Sequence, residues 1–207
     1  MTLGDVKVEA LRLMGLDEPV NAENVSDYEE DENWAPLIRA VWGAVNRCFA
    51  DLETKRVLPL RREDLKNPTG KGNWRRFRYD EIVGLFEPVR LVVESGDLID
   101  DDHPFLLEDG GTLRVMDFDA GATYAVLYRP MPARLTSVSG DDTEIDLPAA
   151  LCDALPWFVK SEVFRLDEPG EAAEARNFYE NAVSQYAALA EVSRQGTVQS
   201  VYGVDLT

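Results

Sequence analysis

The spacing of apolar residues changes twice along this chain, and that change most constrains the fold. Near both ends the apolar residues recur every three or four positions, as on one face of an α-helix. Between residues 57 and 135 they alternate in short runs separated by Gly, Asp and Pro, the pattern of strands joined by turns. The order predicts an α+β fold, in which N-terminal helices and a C-terminal helical hairpin form a helical bundle with an inserted small antiparallel β region.

These changes of pattern also predict the boundaries of the parts. We assign residues 1–56 and 136–192 to the helical bundle, 57–135 to the β-rich insertion, and 193–207 to a flexible C-terminal tail. In the N-terminal part, residues 3–14 form an amphipathic helix that Gly15 ends. Residues 34–56 carry a wide apolar stripe and form the longer helix, with Asn33 as the N-cap and Pro36 in the first turn.

Six runs in the middle of the chain are predicted to be strands. The Glu-Asp-Gly-Gly-Thr stretch at 108–112 is typical of a hairpin turn. The predicted strands are residues 57–60, 76–79, 87–95, 103–109, 112–118 and 123–132.

The C-terminal hairpin is predicted from two further apolar patterns. The first helix covers about 147–166, with a kink at Pro156 because proline removes a helical hydrogen bond. The second covers about 171–192, and its apolar spacing predicts a narrow seam against a partner helix. The seam residues are Ala172, Ala175, Tyr179, Ala182, Tyr186 and Leu189.

Composition restricts the partners and the compartment. The 207 residues include 39 Asp and Glu against 21 Lys and Arg, and this acidity repels nucleic acid and anionic membranes unless basic groups cluster. No 18-residue apolar run and no signal-peptide pattern occurs, so we expect no membrane partner. Cys48 and Cys152 lie among apolar helical residues, which predicts buried free thiols in a reducing cytoplasm.

Two acidic clusters are candidate metal sites. The run 27–33 holds five carboxylates without the spacing of an EF-hand loop, so a solvated loop is the favoured interpretation. Asp100, Asp101, Asp102 and the single histidine, His103, are consecutive, and neighbouring residues of an extended chain point to opposite faces. We therefore predict no metal site, no catalytic residue and no cofactor.

Residues 61–79 are the basic exception to the acidic composition, and Trp74, Phe77 and Tyr79 alternate with their cations. This segment is interpreted as a docking patch for an acidic protein surface, for which an identical neighbour in a ring would serve. A solvated loop and a nucleic-acid surface are the alternatives. Its glycines lack the spacing of a phosphate-binding loop. The predicted contact residues are Arg61, Arg62, Lys71, Trp74, Arg75, Arg76 and Arg78.

Several stretches occur in an order that resembles the head–tail adaptor (connector or tail tubular) proteins of tailed bacteriophages and gene transfer agents. Near the N-terminus these are LRLMGLDEPV (11–20) and WAPLIRAVWGAVNRCFADL (34–52). Towards the C-terminus they are LYRPMPARLT (127–136), IDLP (145–148), DALPWFVKSEVFRLDEP (153–169) and AAEARNFYENAVSQY (172–186). The resemblance spans nearly the whole chain, and the basic and acidic segments fall outside it.

The resemblance implies a structural protein of the virion neck that is made in the host cytoplasm. Such adaptors form a ring, typically of twelve copies, under the portal protein and dock the stopper or tail proteins. The ring extends the DNA channel, and an acidic lumen lets DNA pass without specific binding. By position, the C-terminal tail would dock on the portal. The implied anchors are Val201, Tyr202, Val204 and Leu206.

Three other functions remain open at this point. A stopper or tail-completion protein of the neck is the nearest, although helices dominate both ends of this chain. A nucleic-acid-binding module would use residues 61–79 and would bind DNA in a salt-dependent manner. A metal-dependent hydrolase would use Asp100–His103 and would bind a divalent metal stoichiometrically.

Overall fold

The computed structural model describes residues 1–15, 21 and 24–201, with the backbone alone for Ser26 and for 191–201. Within these residues, four α-helices and seven antiparallel strands confirm the mixed α+β class. The helices are α1 (Leu3–Leu13), α2 (Ala35–Thr54), α3 (Ala149–Val163) and α4 (Pro169–Val201), with a short 3₁₀ helix at Val25–Glu29. The strands are β1 (Arg61–Asp64), β2 (Trp74–Arg78), β3 (Leu85–Ser95), β4 (Leu98–Asp100), β5 (Phe105–Glu108), β6 (Thr112–Met116) and β7 (Thr123–Pro130).

The chain divides into two compact units, each with its own packing. The helical unit comprises residues 1–57 and 132–207 and contains α1 to α4. The β unit comprises residues 58–131 and contains β1 to β7.

The helical unit begins with a well-capped helix. The Thr2 side chain accepts a hydrogen bond from the Asp5 backbone amide, and the Asp5 carboxylate accepts one from the Thr2 amide. This reciprocal pair satisfies two amides that the first helical turn leaves without partners. The Thr2 hydrogen bonds lower the pKa of Asp5.

The predicted cap of α2 is wrong, whereas the predicted place of its proline is confirmed. Trp34 occupies the N-cap position without a side-chain hydrogen bond, and Pro36 lies in the first turn. The amide of Asn33 instead donates to the Asp31 carboxylate, at 2.8 Å. This local turn places Asn33 before the cap position.

The C-terminal helices differ from their predicted lengths. Helix α3 contains Pro156 but ends before Leu166, which is exposed. Helix α4 continues to Val201, past the predicted end near 192. Its buried residues are Ala172, Ala175, Tyr179 and Val183, while Leu189 is 69% exposed. The predicted seam is thus wrong at Leu189, because the fully buried residues of α4 end at Val183 and Leu189 lies on an exposed position further along the helix.

A buried tyrosine and four charged groups join α2 to α4. The Tyr179 hydroxyl donates to the Asp51 carboxylate at 2.7 Å, and Lys55 and Arg176 donate to the same carboxylate at 2.6 and 2.8 Å. Lys55 and Arg176 also donate to Glu180, at 2.7 and 2.9 Å. We call this set, Asp51, Lys55, Arg176, Tyr179 and Glu180, the α2–α4 network.

The ionisable groups in and beside this network are shifted by burial and by their partners. Burial alone would raise the pKa of Asp51, but hydrogen bonds from Lys55 and Tyr179 outweigh it and lower the value. Burial raises the pKa of Tyr179 far above its ordinary range.

Both thiols of the helical unit are buried and free, as predicted. Cys48 lies beside the α2–α4 network, where its thiol donates weakly to the Tyr179 hydroxyl at 3.6 Å. Burial raises the pKa of Cys48 to about 12 and also raises that of Cys152.

The β unit packs two antiparallel sheets around one core. The four-stranded sheet has the order β1-β7-β3-β4, and the three-stranded sheet has the order β2-β6-β5. Side chains from both sheets, together with Leu65 directly after β1, fill the core between them. These are Leu65, Phe77, Leu91, Val93, Leu113, Val115, Tyr124, Val126 and Tyr128.

Two strands differ from the sequence prediction. Residues 57–60 are not a strand, and β1 follows them at Arg61–Asp64 with all four side chains exposed. Strand β4, at Leu98–Asp100, was not predicted, and it too is fully exposed. Both are edge strands, so neither shows the apolar alternation of a half-buried strand.

The predicted Glu-Asp-Gly-Gly hairpin turn joins β5 to β6. Gly110 and Gly111 both have positive φ values, 79° and 71°, which glycine adopts without strain. A Cβ on Gly111 would lie 2.4 Å from the Asp80 side chain. This turn sets the register in which Glu108 pairs with Thr112.

Candidate contact surface

The predicted contact residues all lie in the β unit, on two edge strands and the loop between them. Arg61 and Arg62 lie on β1, Lys71 lies in the loop, and β2 carries the other four, Trp74, Arg75, Arg76 and Arg78. The loop is held to β2 by two hydrogen bonds between the backbones of Thr69 and Arg76, of 2.8 and 2.9 Å. The fold therefore brings these residues together at one end of the β unit.

Alternation along β2 decides which side chains point outward. Phe77 is buried in the core, so Trp74, Arg76 and Arg78 lie on the opposite face of the three-stranded sheet. Arg75 shares the inner face with Phe77. Its guanidinium lies over the Phe118 ring at 4.6 Å and donates to the carbonyls of Gly72 and Trp74.

On the outer face of the three-stranded sheet, two arginine side chains stack on one tryptophan ring, and we call this group the centre of the face. The guanidinium groups of Arg76 and Arg114 lie over the Trp74 ring, at 4.6 and 4.9 Å from its centre. Arg76 also makes an ion pair with Glu108, whose carboxylate lies 3.7 Å from Arg114. The hydrogen bond between them raises the pKa of Arg76 and lowers that of Glu108.

The sequence prediction missed Arg114 and Glu108, which complete this centre. Glu108 lies on β5 and Arg114 on β6, the two strands of the predicted hairpin, and alternation along these strands could have placed both side chains on the outer face. Trp and Arg are enriched at protein interfaces, because they combine a large apolar area with polar groups. This composition suits a protein contact.

Carboxylates of the same unit pair with much of the basic charge. Arg62 donates to Glu94 at 2.7 Å, and Arg78 pairs with Asp80 and Glu81. The hydrogen bond to Glu94 raises the pKa of Arg62. Among the described residues, Lys66 and Lys71 make no ion pair. Guanidinium groups paired in this way are less available to phosphates and to other anionic partners.

A cavity of about 630 Å³ opens between the loop after β1 and strand β2. Charged side chains and a few apolar ones, among them Ile82 and Tyr128, line this cavity. The lining residues are Glu63, Asp64, Leu65, Lys66, Asn67, Thr69, Arg76, Arg78, Glu81, Ile82, Val83 and Tyr128.

The predicted portal-docking residues lie at the end of the chain. Val201 is the last residue of α4. Tyr202, Val204 and Leu206 lie outside the described residues.

The Asp100–His103 cluster forms a local hydrogen-bonded turn. The two ring nitrogens of His103 lie 2.8 Å from the Asp100 carboxylate and 3.0 Å from the Met116 carbonyl. Neither Asp101 nor Asp102 is a hydrogen-bond partner of these ring nitrogens. In the acidic run 27–33, Glu29 pairs with Lys7. Within the described part of the chain, no three His, Cys, Asp or Glu side chains are placed to hold a metal ion.

Comparison with protein-family models and with curated proteins gave no match to this chain. No helix in the described ranges has the length and apolar character needed to cross a membrane.

Proposed function

We propose that this protein is a head–tail adaptor: a structural protein that forms a ring under the portal of a tailed phage or related particle. The ring extends the DNA channel and docks the stopper or tail proteins. The role is structural rather than catalytic, and its place is the virion neck after synthesis in the host cytoplasm.

The observation that carries this proposal is the order of parts along the chain. The β unit, residues 58–131, is continuous in sequence, whereas the helical unit is built from residues on both sides of it. This is the order that the resemblance to adaptors implies. We further propose that α1 to α4 form one helical bundle and that the β unit is an insertion into it.

The net negative charge of the helical unit supports the proposal that this unit lines a DNA channel. Its residues include 25 Asp and Glu against 11 Lys and Arg. Phosphate binding weakens when cations are few, because each bound phosphate needs a basic contact. A lumen lined by this unit would let DNA slide without being held, and the ring of about twelve copies is part of the same proposal.

Quantitative mass spectrometry of purified, DNA-filled particles from the producing cells tests the proposal. We expect this chain at a ratio near one to one with the portal protein. Absence from the particles would contradict the proposal, and a ratio far below one would favour a stopper or tail-completion protein.

The C-terminal anchors can be tested in the same particles. Replacing Tyr202 and Leu206 by serine removes two apolar side chains from the proposed portal-docking tail. We expect the chain to be lost from the neck while its folding is unchanged in circular dichroism. Gln195→Ser, on the same helix and tail region, is the control that leaves incorporation intact. Normal incorporation of the tail variant would place portal docking elsewhere.

A further inference from the structure

The two sheets of the β unit end in edges of opposite charge. Strands β1 and β2 are one edge of each sheet, and they border the same cavity. Strands β4 and β5 are the other two edges, and only residues 101–104 connect them. We call residues 61–78 the basic edge and residues 97–109 the acidic edge.

The separation of charge between these edges is nearly complete. The basic edge has seven Lys and Arg against two acidic residues, whereas the acidic edge has six Asp and Glu and no Lys or Arg. On the acidic edge, Asp97, Asp101, Asp102 and Asp109 are exposed and make no ion pair within the described residues. On the basic edge, Lys66 and Lys71 are likewise exposed and unpaired.

The acidic edge also exposes apolar side chains. Leu98 and Ile99 on β4 are 77% and 67% exposed, and Leu106 and Leu107 on β5 are 56% and 55% exposed. Both strands are paired on one side only. Exposed apolar edge strands invite pairing with another chain, so soluble proteins usually cover or charge them.

We propose that the acidic edge of one copy docks on the basic edge of the next copy. Leu98 and Ile99 would pack at the cavity beside Ile82 and Val83, the latter 94% exposed. The unpaired aspartates would face the unpaired lysines, so the two surfaces match in charge as well as in apolar character.

This contact joins two different surfaces and is therefore head to tail. A head-to-tail contact between identical chains propagates, and it closes into a ring when the rotation between copies permits. Only the closure of these contacts into a ring rests on the proposed function. The contact itself follows from the charges and exposed residues of the β unit.

Zero-length cross-linking locates the contact directly. A carbodiimide joins carboxylates to amines, and a mixture of isotope-labelled and unlabelled chains distinguishes links between copies from links within one copy. In concentrated solution we expect mixed-isotope links from Asp101 and Asp102 to Lys66 and Lys71. If the mixed-isotope links avoid these two edges, or none form, the proposal is overturned.

Charge reversal supplies the matched controls. Lys66→Glu with Lys71→Glu changes the net charge of the basic edge from +5 to +1 and places glutamates opposite Asp101 and Asp102. Asp101→Lys with Asp102→Lys changes the net charge of the acidic edge from −6 to −2 and places lysines opposite Lys66 and Lys71. We expect either double variant alone to self-associate at least about tenfold more weakly, because like charges then meet. An equal mixture of the two, and the fourfold variant, restore association, since opposite charges meet again. Analytical ultracentrifugation measures all four, and thermal unfolding confirms that each variant is folded.

The outcomes separate this inference from the proposed function. Restored association in the mixture, together with absence of the chain from particles, supports the contact and contradicts the neck role. A chain found at portal ratio in particles, without rescue in the mixture, supports the neck role and overturns this contact.

Discussion

The helical unit and the β unit use their charged residues in opposite ways. In the helical unit, Asp51, Lys55, Arg176 and Glu180 bind one another and enclose the hydroxyl of a buried tyrosine. In the β unit, unpaired cations and carboxylates are exposed on opposite edges of the sheets.

This difference indicates which charges stabilise the folded chain and which remain available for binding a partner. A charge held among partners near a buried group fixes the geometry of two helices, and its removal leaves those partners unsatisfied. An exposed charge contributes little to folding, because water and salt screen it, but it remains available to a partner molecule. We therefore expect substitutions in the helical unit to affect stability and those at the β edges to affect association.

The largest effect is expected from Tyr179→Ala, which empties a fully buried site between α2 and α4. The free energy of unfolding should fall by about 3–5 kcal/mol, the range for a large buried aromatic side chain. Urea denaturation monitored by circular dichroism measures this loss.

The neighbouring Phe178→Ala is the matched control, since Phe178 is 48% exposed and stacks on Trp157. Its loss should be less than about 1.5 kcal/mol. Equal losses for the two variants would show that α4 is not anchored through Tyr179.

The next effect is the pH dependence contributed by Asp51. Its folded-state pKa is lowered below the ordinary value of 3.8, so the ionised form stabilises the fold above that pH and the contribution is lost as pH falls through the folded-state pKa. Asp51→Asn should cost about 1.5–3 kcal/mol at neutral pH, because charged hydrogen bonds are removed. The difference from the unmodified chain should shrink below pH 3.8.

Denaturant unfolding of both proteins at neutral and strongly acid pH checks this expectation. Glu53→Gln removes a charge from the same helix outside the α2–α4 network and serves as control. A cost of Asp51→Asn that is the same at both pH values would mean that the network does not depend on the ionised carboxylate.

A smaller effect is expected at the start of α1. Thr2→Ala removes the side-chain acceptor of the capping box and should cost about 1 kcal/mol in thermal or urea unfolding. Thr2→Ser keeps the hydroxyl and should restore most of the loss. If serine and alanine cost the same, the hydroxyl is not the stabilising group.

The smallest effect is expected in the β unit, where Arg62 pairs with Glu94 at the surface. Arg62→Gln should change the free energy of unfolding by about 0.5 kcal/mol or less, since an exposed ion pair contributes little. Urea unfolding at low and high salt measures it. A loss as large as that of Asp51→Asn would remove the contrast between the two units.

Local pattern accounted for most of the elements. The helices, the β5–β6 hairpin and both buried thiols follow from the spacing of apolar residues and from turn residues. Pattern failed at β1 and β4, because exposed edge strands lack apolar alternation. It also failed at Leu189, because an apolar spacing along a helix does not show where the buried face ends.

The sequence by itself determined the α+β class, the acidic balance and the basic segment 61–79, because these depend on composition and on residues close together in the chain. Only the tertiary structure decided which charges meet. Asp51 and Arg176 are 125 positions apart, and Arg76 and Glu108 are 32 apart. Such pairs depend on strand order, register and helix packing, which bring distant residues together and which no local pattern contains.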